Sequence, residues 1–183
     1  MCFPIFGGGL FSRTVMTVDH TVFMGNQAIG GAATGAGNQG GLGAGGAIQN
    51  FGPLSLTNCT LAANDAEGGP GTGGATGGIG QGGAIANAGA LTITQTSIVG
   101  NLAEGGKGGG NGLGGGVYCS GGTATLINSL VSSNQADGGK GGGQGVGGGI
   151  YVASGSLTLL DSTQVKFNSA STSNNNIFAP FST

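Results

Sequence analysis

The chain has 183 residues, enough for one domain, but no Trp, only 5% aromatic residues and 47 glycines, which excludes a conventional globular core. Charged residues make up 5%, far below the ~25% usual in soluble domains, and the net charge is −2 with Arg13, Lys107, Lys140 and Lys166 as the cations. Nucleic-acid binding draws its affinity from Lys and Arg on phosphates and has almost nothing to work with here; four prolines exclude collagen.

From the N-terminus, Met1 to Phe6 lack the basic stretch of a signal peptide, so export is signalled elsewhere or the chain is cut from a longer precursor. No apolar run reaches the ~18 residues of a membrane span. The three cysteines, Cys2, Cys59 and Cys119, are an odd count without metal-type spacing.

The triplet Asn-x-Ala then recurs at Asn26, Asn64, Asn101, Asn134 and Asn168, in steps of 38, 37, 33 and 34 residues. Upstream of each lies the same train. A degenerate "GGGLFSRTVMTVDHTVFMGN" comes first, then "GGAIQNFGPLSLTNCTLAAN", "GGAIANAGALTITQTSIVGN", "GGGVYCSGGTATLINSLVSSN" and "GGGIYVASGSLTLLDSTQVKFN". Short apolar-polar alternations separated by Gly, Asn or Ser predict three strands per copy, and no segment has a useful helical period. Three such strands bury nothing alone; copies stacked at ~4.8 Å bury a continuous face. The expected fold is an all-β, parallel β-helix of about five rungs, one domain with repeats near 7–44, 45–81, 82–114, 115–147 and 148–183.

Stacking turns each equivalent position into a column. Leu10, Ile48, Ile85, Val117 and Ile150 are expected inward on the first strand, and Val18, Leu56, Ile93, Leu126 and Leu159 on the second. Phe23, Leu61, Ile98, Val131 and Val165 are expected inward on the third. One extra residue before the third strand of the last copy predicts a bulge. The asparagines form a ladder in which each side-chain amide bonds the next. His20 falls in a turn column with Asn58, Gln95, Asn128 and Ser162, while Cys59 and Cys119 read as small buried hydrophobes.

The train "GGAI-x-N-x-G-x-LTIT…S-x-x-x-x-N-x-A", with "NNNIFA" after the last copy, resembles the right-handed β-helix repeats of bacterial surface proteins, of the polymorphic outer membrane protein and autotransporter passenger type. The resemblance covers roughly residues 7 to 180. It implies right-handedness, an extracellular or cell-surface setting and a structural or adhesive role.

Between copies, Gly occupies every third position: Gly68, Gly71, Gly74, Gly77, Gly80 and Gly83 in one loop, with the same spacing from Gly37, Gly106 and Gly139. Two readings stand side by side: a polyproline II layer beside the β-helix, anchored by Leu42, Ile79, Leu113 and Val146, or flexible glycine excursions.

Glu67, Glu104 and Asp137 form an acid column, with Lys107 and Lys140 three residues after two of them. Stacked carboxylates suit Ca²⁺ or acid-base work on a polysaccharide, as in pectin-degrading β-helices; a solvated charge ladder is the favoured reading. Thr17, Ser55, Thr92, Thr125 and Thr158 form an outward hydroxyl column. Two such columns side by side bind ice, but the neighbour reads Asp19, Thr57, Thr94, Ile127 and Leu160 and fails after two rungs. A G-x-G-x-x-G match at Gly35 has no helix after it, so no cofactor follows from it. No catalytic residue, cofactor or metal is assigned. The expected function is a non-catalytic extracellular scaffold, adhesin-like towards surface glycans or host cells, or self-associating end to end; a polysaccharide-acting enzyme and an ice-binding protein are the alternatives.

Overall fold

A computed structural model describes residues 5–6 and 8–179; Cys2, residues 1–4 of the N-terminal segment and the last four residues lie outside them. The described residues contain no helix, and each strand pairs in parallel with its counterpart in the adjacent copy, giving a β-solenoid of about five turns. Sheet one takes Leu10–Ser12, Ile48–Asn50, Ile85–Asn87, Val117–Cys119, Ile150–Val152 and Ile177–Phe178. Sheet two takes Met16–Asp19, Leu54–Thr57, Ala90–Thr94, Thr123–Ile127 and Ser156–Leu160. Sheet three takes Val22–Met24, Thr60–Ala62, Ser97–Val99, Leu130–Ser132 and Gln164–Lys166.

The three inward columns hold in register, and Ile48, Ile85, Val117, Ile150, Leu56, Ile93, Leu126, Leu61, Ile98 and Val131 are fully buried. A further inward column, Leu54, Leu91 and Ala124, widens sheet two. Leu10, Val18, Phe23 and Val165 pack against this core half-buried, because each sits in an end turn. Leu159 departs from its expected burial: it pairs in register with Leu126 but is 38% exposed, since sheet two ends on its strand.

Sheets two and three are joined by two-residue turns whose first member is left-handed, His20, Asn58, Gln95 and Asn128 at φ 46 to 52°. Asn, Asp and His tolerate this region better than most residues. In the last copy the left-handed residue is Asp161, not Ser162; Ser162 is the inserted residue, and the turn runs Asp161 to Thr163. The expected bulge is therefore a longer turn, and the strands on both sides keep their register.

The glycine loops are an ordered second layer. Sheet four (Gln27–Ile29, Asp65–Glu67, Leu102–Glu104, Gln135–Asp137, Ser169–Ala170) packs against sheet five (Ile5–Phe6, Gly43–Ala44, Gly80–Gln81, Gly112–Leu113, Gly145–Val146). The approach is backbone to backbone: a Cβ on Gly80 would lie 2.3 Å from the carbonyl oxygens of both Ala66 and Glu104. Facing them in sheet four are the Ala of the Asn-x-Ala triplets, Ala28, Ala66, Ala103 and Ala136, all fully buried. The small side chain suits this backbone-close layer, and the third letter of the motif is Ala in all five copies.

Farther out, main-chain bonds pass from glycine to glycine, alternately within a loop and across to the neighbouring turn. The N–H of Gly143 donates to Gly139, Gly139 to Gly110, Gly110 to Gly106, Gly106 to Gly78, Gly78 to Gly69, Gly69 to Gly41 and Gly41 to Gly31, at 2.7 to 3.1 Å. A Cβ on Gly78 would meet the carbonyl oxygen of Gly41 at 2.0 Å, whereas one on Gly31 would meet nothing within 4 Å. Gly78→Ala is therefore expected to destabilise the fold by roughly 1–3 kcal/mol, as overpacking does, and Gly31→Ala to leave it nearly unchanged. Thermal unfolding of the pair measures the difference; equal melting temperatures would mean that the layer does not contribute to stability.

Candidate functional site

Asn26, Asn64, Asn101, Asn134 and Asn168 form one row at the corner between sheets three and four. Each Nδ2 donates to Oδ1 of the next: Asn26 to Asn64 at 2.8 Å, Asn64 to Asn101 at 2.9 Å, Asn101 to Asn134 at 2.8 Å and Asn134 to Asn168 at 2.9 Å. The main-chain N–H of each donates to the same Oδ1 at 2.9 to 3.0 Å. The second Nδ2 hydrogen goes back one turn, from Asn64 to the carbonyl of Phe23, Asn101 to Leu61, Asn134 to Ile98 and Asn168 to Val131, at 3.0 to 3.1 Å. A buried primary amide offers two donors and two acceptor lone pairs, and within the row all are used. The row ends on Asn176, whose Oδ1 accepts from Asn168 Nδ2 at 3.1 Å.

A second inward row escaped the sequence reading. The N–H of Cys59 donates to Thr96 Oγ1, that of Thr96 to Ser129 Oγ and that of Ser129 to Thr163 Oγ1, at 3.1 to 3.2 Å. The available signal was partial: Thr96 and Ser129 directly follow the turn residues Gln95 and Asn128, but Cys59 is a thiol and Thr163 is displaced by the inserted Ser162. Asn50 and Asn87 form a short buried pair in sheet one, Nδ2 to Oδ1 at 2.7 Å. Cys119, in register with Asn87, is buried and its thiol pKa is pushed up to about 12 by that burial, so it packs rather than reacts.

The hydroxyl column is assembled as expected: Thr17, Ser55, Thr92, Thr125 and Thr158 stand in register, exposed or half-exposed. The adjacent column turns apolar at Ile127 and Leu160, so there is no second hydroxyl row beside it along the whole face.

The acids Glu67, Glu104 and Asp137 also stand in register on sheet four. No lysine reaches them at ion-pair distance, the one ion pair among the described residues being His20 Nδ1 with Asp19 Oδ2 at 2.8 Å, although the charge of Lys140 still acts to lower the pKa of Glu104. Among the described residues no three His, Cys, Asp or Glu are arranged to hold a metal. Asp65, two residues before Glu67, was not singled out from sequence. Burial, with Glu67 and then Glu104 as like charges, raises its pKa to about 6, and its Oδ1 is buried without a hydrogen-bond partner. Burial first and then Glu67 and Asp137 likewise raise Glu104.

An open groove of about 360 Å³ runs along the corner between sheets two and three in the last three turns, lined by amides and hydroxyls including Gln95, Ser97, Asn128, Ser162 and Gln164, with Lys166. At the two ends of the stack the exposed large hydrophobic side chains collect: Phe11, Val15, Val22, Met24 and Ile29 in the first turn, Leu159, Leu160 and Phe167 in the fifth. Between these turns, Phe51 is the one other exposed large hydrophobe among the described residues. No family model matches the chain, and no curated protein or solved structure matches it either.

Two substitutions test these rows. Asn101→Ala leaves donors and acceptors unpaired on both neighbouring turns and is expected to cost about 1–3 kcal/mol in denaturant unfolding. An unchanged midpoint would mean that the row is dispensable. Asp65 has its folded pKa above the unfolded one, so the folded state binds its proton more tightly and stability falls as pH rises from about 4 to 6. The rise from 3.8 to about 6 is worth ~3 kcal/mol unscreened, and about 1–2 kcal/mol for a half-exposed carboxylate. Asp65→Asn should therefore stabilise the protein at pH 7 and flatten that part of the stability–pH curve; a variant no more stable at pH 7 contradicts this account.

Proposed function

We propose that the protein is a non-catalytic structural β-solenoid of an extracellular or cell surface, similar in role to the bacterial passengers whose repeats it resembles, and that its end turns associate with further copies. The observation that carries this is the placement of exposed apolar side chains on the first and fifth turns, where sheets two, three and four end on in-register strands. A strand edge with apolar neighbours is a template for another strand, and a contact between unlike ends propagates instead of closing. The functional columns support the same reading, because they repeat along the stack without converging on a reacting centre.

The polar groove between sheets two and three favours an adhesive component. Its amides and hydroxyls match the hydrogen-bonding groups of a neutral surface glycan.

Negative-stain electron microscopy and size-exclusion chromatography across a concentration series test the reading. Filaments of uniform width, with an axial repeat near ~24 Å from five turns at ~4.8 Å, are expected at the top of the series. An intact protein that stays a single particle at every concentration would overturn it.

A further inference from the structure

The segment from Ser171 to Phe178 leaves the fifth turn without entering a glycine loop and returns directly to the stack. Its residues take the places of a sixth turn one by one. Ser173 bridges to Val146 as the earlier sheet-five residues pair with one another, and Ile177–Phe178 pair with Ile150 and Tyr151. The N–H groups of Gly147, Gly148 and Ile150 donate to the carbonyls of Ser173, Asn174 and Asn176 at 2.9 to 3.3 Å. Asn174 is left-handed at φ 59°, where the preceding copies carry Gly45, Gly82, Gly114 and Gly147 at φ 64 to 68°.

The first turn makes the same contacts from the other side of the stack. Gly9 and Leu10 donate to the carbonyl of Ala47, and Leu10 and Phe11 pair with Ile48 and Gln49. In this alignment Ile177 and Phe178 stand where Leu10 and Phe11 stand, and Asn176 where Gly9 stands. In the five copies this position is Gly9, Ala47, Ala84, Gly116 or Gly149, because the ladder Asn lies against it; a Cβ on Gly149 would be 2.8 Å from Asn168 Nδ2. Asn176 breaks the pattern and supplies the amide itself, accepting from the N–H of Asn168 at 3.3 Å and from its Nδ2 at 3.1 Å. Phe178 stacks on Tyr151 at 4.6 Å between centroids, extending the stack of Tyr118 on Tyr151.

We propose that the end surface formed by Gly147 to Tyr151 and Asn168 is a docking site for the first turn of a second copy, and that the chain's own segment 171–178 fills it by mimicry. The inference rests on the end-to-end reading above and specifies its junction. For strand Met16–Asp19 of an incoming copy to pair with Ser156–Leu160, its Leu10 and Phe11 must take the sheet-one positions of Ile177 and Phe178. Its Asn26 Oδ1, which has no earlier turn to serve among the described residues, replaces that of Asn176. Docking and capping are thus mutually exclusive.

The experiment uses the full-length chain carrying Asn176→Gly, Ile177→Ser and Phe178→Ser, compared with the unaltered chain by sedimentation and electron microscopy over a concentration series. The variant is expected to assemble at a concentration at least tenfold lower, and a synthetic peptide of residues 171–179 is expected to raise that threshold again. Adding Phe11→Ser to the variant should cancel the gain, because the incoming strand loses its ring for Tyr151. Circular dichroism identifies a misfolded variant; the peptide, titrated onto assembling unaltered chain, then decides, and no suppression overturns the proposal. Equal thresholds for a folded variant and the unaltered chain would sink the mimicry and leave end-to-end assembly standing. If the unaltered chain stays single while the variant assembles, the docking site stands and the filament role of the intact protein falls. A folded variant that never assembles removes both.

Discussion

The side-chain amide passed from Asn to Asn sets the pitch of the stack. From Asn64 to Asn168, each Oδ1 accepts two bonds from the turn behind and each Nδ2 donates two, one to the turn ahead and one to the turn behind. All four bonds close only when neighbouring turns lie at the strand spacing in register. The loops between the asparagines differ in length, from 33 to 38 residues per copy, yet the row does not slip. Most length variation is thereby pushed out of the core and into the glycine layer, the rest into the corner turns, and the inward columns of Ile, Leu and Val meet like residues above and below.

That layer answers a different problem. Ordering glycine costs more backbone entropy than ordering any other residue, and a loop of glycines has no side chains with which to offset the cost. Here the compensation is main-chain: sheet five lies on sheet four at backbone contact, and the outer glycines bond to one another across turns. At such distances carbonyls and Cα–H groups also approach closely enough for weak bonds. The scarcity of charge is consistent with this arrangement, since chains this close leave no room for solvated side chains between them.

The repeat made much of this legible in the sequence. The three inward columns, the Asn row and the hydroxyl column follow from aligning the copies on Asn-x-Ala, because position in a stack is fixed by register alone. The inward column through Leu54, Leu91 and Ala124, with Met16 and Leu157 half-buried at its ends, was hidden, since Ala124 is small and Leu54 follows Gly-Pro, which reads as a turn. Asp161 was hidden by the insertion beside it: an extra residue can be placed on either side of a turn until the backbone shows which one is left-handed. The row Cys59, Thr96, Ser129 and Thr163 mixes a thiol with hydroxyls and does not read as one chemical type. Asp65 was missed because its raised pKa comes first from burial and then from Glu67 and Glu104, and both the burial and the approach of Glu104 arise only in the stack.

A stack held together by one pitch has no interior signal that says where to stop, for every turn offers the next the same edge. Its extent must be set by residues that depart from the repeat. In this chain such departures gather at the last turn: Ser162 lengthens a turn, and Asn174 and Asn176 stand where earlier copies carry Gly or Ala. The asparagines keep the conformation and the hydrogen bonds of the repeat although the segment reaches sheet one without a glycine loop. A cap built this way closes the edge with the groups that elsewhere extend it. It is held by the same kinds of bond as a neighbouring turn, across fewer strands, which makes it displaceable in a way that an unrelated capping element would not be.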